Sequence, residues 1–105
     1  MKEQPLLQPL QLGDIELPNR VVMAPMTRSR AKNEDTAPTE DLHVPYYTER
    51  ATAGLIITEG SQVSKRAVGY VYTAGIHSKE QVQGWKKVTK SVHDAGGRIF
   101  IQLWH

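Results

Sequence analysis

Three short apolar runs, each turning polar or aromatic where it ends, constrain this chain more than anything else in it. They are "RVVMAP" at 20–25, "LIITEG" at 55–60 and "RIFIQLW" at 98–104. None alternates cleanly between apolar and polar residues, which is the pattern of strands covered on both faces. Between the second and third runs, Ser78 and Gln81 form an S-x-x-Q capping box. Val82, Trp85, Val88, Val92 and Ala95 follow at helical spacing, and Gly96-Gly97 ends the predicted helix. Between the first and second runs, Thr39 is placed to cap a helix running to about Thr52, closed by Ala53-Gly54. Pro45 either sits in the first turn of a helix that starts late or bends it.

Strand, helix, strand, helix, strand is the signature of an α/β fold with a parallel sheet. The connections after the strands are long, at 27–38 and 61–77, and those after the helices are short. Informative loops therefore gather at the carboxyl ends of the strands, where ligands of such folds bind. Ahead of the first run, "LQLGDIELPNR" predicts a small hairpin, Leu10 to Leu12 and Ile15 to Leu17 around Gly13-Asp14, ended by Pro18. Three such strands and two helices leave sheet edges unpaired and apolar surface bare. The 105 residues are thus expected to be the front part of a single (β/α)8 barrel domain, which typically needs about 250 residues. Residues 1–18 would be a hairpin closing its floor.

Composition excludes several classes. With 39% hydrophobic and 23% charged residues the chain is not a disordered tail. The absence of cysteine removes disulfides and thiolate metal sites, and a cytoplasmic setting is the expectation. "MKEQPLLQPLQLGD" carries no long apolar run, so neither a signal peptide nor a membrane span is expected there. The net charge is only +2, with basic residues scattered among acids, which argues against nucleic acid as a partner. The four histidines show no metal-ligand spacing, and no nucleophile elbow, phosphate loop or dinucleotide fingerprint is present.

Candidate site residues occupy equivalent places in the three strands. Gln102 brings an amide to the end of an apolar strand, where it either pairs with loop backbone or meets a ligand. Trp104, two residues on, shares its face, so the amide and a large ring project together; Trp104 is otherwise plain core. Thr27 follows Pro25 at the end of the first strand, and Gly60 follows the second, where a ligand could approach its backbone; both also suit ordinary turns. Glu59 reads as a base or as a hydrogen-bonded structural carboxylate.

At these residues the chain resembles the Old Yellow Enzyme family of FMN-dependent oxidoreductases. The likeness is strongest to N-ethylmaleimide-reductase-like and oxophytodienoate-reductase-like members. The matching segments are "NRVVMAPMTR", "YYTERATAGLIITEGSQVS", "GYVYTAGIHSKEQVQGWKKVTKSVH" and "GRIFIQLWH". The resemblance implies a TIM barrel with non-covalent FMN at its mouth, reduced by NAD(P)H and reoxidised by small-molecule alkenes activated by a carbonyl or nitro group. It implies that Ala24, Pro25, Met26 and Thr27 line the flavin and that Gly60 donates its backbone N–H to it. Gln102 would reach the pyrimidine side, and Tyr70 and Trp104 would wall the substrate pocket. The family's proton-donating tyrosine, its carbonyl-binding pair and its phosphate-binding basic residues match nothing within this chain, so no catalytic residue is expected here. One expectation is an ene-reductase segment completed by a second polypeptide that supplies the remaining strands. The other is a non-catalytic barrel fragment or interaction module.

Overall fold

In the computed structural model, which describes residues 4–105, the strands form two sheets. Residues 1–3 of the expected amino-terminal segment lie outside the described residues. The first sheet is the antiparallel hairpin β1 (Leu10–Leu12) and β2 (Ile15–Leu17), with Leu10 opposite Leu17 and Leu12 opposite Ile15. Arg98 Nε donates to the Glu16 carbonyl at 3.1 Å and ties this hairpin to the amino end of the larger sheet.

That larger sheet holds β3 (Val22–Met23), β4 (Leu55–Gln62) and β5 (Ile99–Trp104), all parallel, in the order β3-β4-β5. Its crossovers carry α1 (His43–Thr48) and α2 (Lys79–Asp94). The predicted capping box is present: Gln81 N–H donates to Ser78 Oγ at 3.1 Å, and Gln81 Oε1 accepts from the Ser78 N–H at 3.0 Å. At the other end of α2, Gly97 N–H donates to the Val92 carbonyl and Gly96 N–H to that of His93, each at 2.9 Å. Gly96 sits at φ +87°, the left-handed conformation such a C-terminal lock requires and a side chain resists.

Gln81, Trp85, Val88 and Val92 make the buried stripe of α2. Val82 is only half-buried and Ala95, the C-cap residue, is exposed, so the buried stripe is displaced from the expected one by a polar residue. Gln81 belongs to it because its amide also donates to the Asp35 carbonyl at 2.8 Å, satisfying a loop that crosses the helix start. Trp85, Val88 and Val92 pack with Tyr47, Ala51, Ile56, Ala31 and Ala74 into one cluster, joined by Met23, Ile99 and Ile101 from the sheet.

Two elements are shorter than expected. Thr39 does cap, its hydroxyl accepting the Leu42 N–H at 3.2 Å, but its own N–H is taken by the His43 ring, and regular helix starts only at His43 with Pro45 in the first turn. After Thr48 the chain tightens: Arg50, Ala51 and Ala53 N–H groups reach back only three residues, which turns it into β4. β3 is two residues long because Pro25 removes a donor just beyond it.

Candidate functional site

β4 and β5 do not run in simple register. Ile57 pairs with Phe100 but Gly60 pairs with Gln102, so β4 carries one extra residue across Thr58 and Glu59. Such a bulge leaves backbone groups off the ladder, and they need other partners. Thr58 Oγ1 supplies two of them, accepting the Gln102 N–H at 3.1 Å and donating to the Glu59 carbonyl at 2.9 Å. Ser61 Oγ also donates to that carbonyl, at 3.1 Å. The Glu59 N–H goes to the Tyr47 hydroxyl at 3.0 Å, and the same hydroxyl donates to Glu59 Oε2 at 2.5 Å.

Glu59 is therefore a buried structural carboxylate. Its other oxygen faces His43 Nε2 at 3.6 Å, and neither of those two atoms has a hydrogen bond. His43 Nδ1 accepts the Thr39 N–H at 2.9 Å, so in the neutral ring the proton sits on Nε2, toward the carboxylate. Burial, and then the Glu59 charge, push the Tyr47 phenol well above the ordinary tyrosine value.

The bulge brings Gly60 against the side chains of its neighbour strand. A Cβ at Gly60 would lie 2.7 Å from Trp104 Cε3 and 3.2 Å from Gln102 Oε1, so only glycine lets that ring lie across the β4 backbone. Gln102 and Trp104 do share a face, as their spacing predicts. Tyr70 joins them, its ring centroid 5.3 Å from that of Trp104. Its loop is anchored by an unanticipated pair: Gln62 Nε2 donates to the Thr73 carbonyl at 2.8 Å, and Thr73 Oγ1 contacts both Gln62 Oε1 and the Tyr70 carbonyl at 3.0 Å.

Gln102 is exposed, and its amide has no hydrogen-bond partner among the described residues, so it does not pair with loop backbone. Ala24, Pro25, Met26 and Thr27 leave the carboxyl end of β3 and are all exposed; the Thr27 hydroxyl likewise has no partner among the described residues. The structure thus gathers Gly60, Gln102, Trp104 and Tyr70 in contact and places the 24–27 segment on the adjoining strand exit. A separate cavity of about 320 Å³, lined by Arg28, Arg30, Leu42, His43 and Tyr46, shares no residue with this group. Among the described residues no cluster could hold a metal ion, and no helix is long and apolar enough to cross a membrane.

The model of the NADH:flavin oxidoreductase / NADH oxidase family matches residues 5–105. The chain belongs to this family. Among its Old Yellow Enzyme relatives, a probable flavin mononucleotide-dependent alkene reductase of Leishmania infantum is 47% identical, over 93% of this chain and 26% of its own length. Morphinone reductase, solved with tetrahydroNAD, is 53% identical with a TM-score of 0.90, over 98% of this chain and 28% of that one. An Old Yellow Enzyme homologue from Zymomonas mobilis is 47% identical with a TM-score of 0.91, over 97% and 28%. This Old Yellow Enzyme chain spans about a quarter of the length of the curated relatives it matches, and forms part of their barrel. FMN is the cofactor of the family and NADH the reductant in its description. The donor set suits a flavin: an exposed amide at Gln102, an unengaged hydroxyl at Thr27 and a backbone stripped of its side chain at Gly60, beside two aromatic rings.

Proposed function

We propose that this chain supplies one side of a non-covalent FMN site in a (β/α)8 ene-reductase, with the hairpin as barrel floor and the remaining strands completing the mouth. The observation that carries the reading is the convergence of Gly60, Gln102 and Trp104 where β4 and β5 meet after the bulge. When bound, FMN would accept hydride from NAD(P)H and deliver it to the β-carbon of an alkene activated by a carbonyl or nitro group. Gln102, Thr27 and the Gly60 N–H then act as oriented dipoles for the flavin's polar edge. Such groups favour the electron-rich reduced form because they need no reorganisation. Trp104 and Tyr70 exclude water and shape the alkene pocket, and Ala24 to Met26 form the adjoining wall. The proton donor and the phosphate-binding cations lie outside these residues. A cytoplasmic setting belongs to the same reading, resting on the cysteine-free composition.

The test is a visible spectrum of the purified assembly containing all barrel strands. A yellow preparation, bleached by NADPH and recoloured by an enone, supports the reading; a colourless one supports the non-catalytic module. A mass spectrum of the same sample shows whether the remaining strands travel as a second polypeptide.

A further inference from the structure

We propose that Tyr47, Thr58 and Ser61 are positioning residues for the flavin, acting through the single peptide unit between Glu59 and Gly60. The inference rests on the reading that Gly60 donates its N–H to FMN. In a trans peptide the C=O of one residue and the N–H of the next lie in one plane and point in opposite directions, and no cis peptide occurs in this chain among the described residues. Whatever fixes the Glu59 carbonyl therefore fixes the direction of the Gly60 N–H.

That carbonyl is held from two sides by hydroxyls, Thr58 Oγ1 at 2.9 Å and Ser61 Oγ at 3.1 Å, which saturates its two lone pairs. The other end of the same residue is held by Tyr47, which accepts the Glu59 N–H and donates to the Glu59 carboxylate. Tyr47 is fully buried, its ring packed against those of Tyr46 and Trp85 with centroids 5.0 and 6.0 Å away, so its hydroxyl is fixed by packing. Thr58 links the device to the second flavin contact, since the hydroxyl that grips the Glu59 carbonyl also accepts the Gln102 N–H. A bulge held this completely is more than a repair of lost ladder bonds: every anchor falls on the residue preceding the proposed donor, and one anchor is shared with the strand that carries the proposed amide.

The experiment compares Tyr47→Phe, Thr58→Val and Val88→Ala in the complete FMN-loaded assembly, reading FMN dissociation constant by flavin fluorescence, midpoint potential by spectroelectrochemistry and melting temperature. Val88 is fully buried in the same cluster but makes no bond to the Glu59–Gly60 unit, so it reports generic destabilisation. The expected result is weaker FMN binding in Tyr47→Phe and Thr58→Val. Reduced flavin should lose about tenfold more than oxidised, which makes the potential about 30 mV more negative for a two-electron couple. Val88→Ala should lower the melting temperature and leave the potential unmoved. If Tyr47→Phe does not fold, Thr58→Val, which replaces a hydroxyl by a methyl of similar size, carries the test. An unchanged potential in Thr58→Val, or an equal shift in Val88→Ala, overturns the positioning role. Gln102→Leu separates the two layers: if it moves FMN affinity while Thr58→Val does not, only the positioning role fails. If neither moves it, the flavin assignment itself fails.

Discussion

The two faces of the parallel sheet are finished to different degrees. On one, Met23, Ile56, Ile99 and Ile101 meet Trp85, Val88 and Val92 of α2 and Tyr47 of α1, and the central residues of that cluster are sealed from solvent. On the other, Val22 and Phe100 are each 48% exposed, and Gln102 stands free beside Trp104. The covered face holds the chain together through packing, and the open face carries the groups proposed to meet a ligand. Edge strands β3 and β5 each have a neighbour on one side only. The contrast separates stability from function by direction: a substitution pointing to the helices should act on folding, and one pointing away should act on the flavin.

The largest expected effect breaks the contrast outright. Prepared as an isolated 105-residue polypeptide, the chain should self-associate through its open face and unpaired edges. Sedimentation at micromolar concentration checks this, and a monomer that melts cooperatively would contradict it. Next comes Trp85→Ala on the covered face, expected to cost about 3–5 kcal/mol by cavity formation, plus the loss of the Nε1 bond to the Gly75 carbonyl at 3.0 Å. Denaturant unfolding of the complete assembly measures it, and a loss below the range would mean the helix face is less tightly packed than described.

On the open face, Gln102→Leu should weaken FMN binding by about 1–3 kcal/mol through loss of a polar partner in a dry site, with little change in melting of the flavin-free protein. Alkaline pH probes the covered face again through Tyr47. The folded state holds the phenolic proton to higher pH than the unfolded chain does, so this stability is complete at neutral pH and lost as pH rises above the ordinary tyrosine value. The slope from this one group should approach about 1.4 kcal/mol per pH unit above about pH 10, and Tyr47→Phe should remove that component in melts run from pH 9 to 11. The smallest effect on the cofactor belongs to Trp104→Ala. FMN affinity should stay near the parent's while relative rates on two enones of different bulk change, because the ring shapes the space beside the flavin. A matched loss of flavin would place Trp104 in the cofactor site instead.

Much of this organisation is legible in local patterns. The hairpin at Gly13-Asp14, the Ser78–Gln81 box, the glycine stop at 96–97 and the shared face of Gln102 and Trp104 all follow from spacings within a few residues. The joint placement of Gly60 and Gln102 follows only once the strands are known to be neighbours. What stays hidden depends on longer separations or on a single inserted residue. A period-two pattern cannot register the extra residue at Thr58-Glu59, because "LIITEG" has no clean alternation to interrupt. The Tyr47 to Glu59 bond spans a whole turn of chain between α1 and β4, although a carboxylate inside an apolar strand already signals a hidden donor. The late start of α1 is one of the two readings that Pro45 leaves open, but its cause is hidden, since it depends on the His43 ring capturing the Thr39 N–H.

The bulge in β4 works like a reading frame in space. Were the bulge drawn flat with no residue removed, continuing the register from Ile57 and Phe100 would set a carboxylate, not a bare amide, opposite Gln102 and send the glycine to the helix side. A negative charge would then stand where an electron-rich ring is to be received. The polarity of the mouth thus depends on strand register as much as on residue identity, and a one-residue slip in pairing that leaves the sequence unchanged is expected to abolish the site.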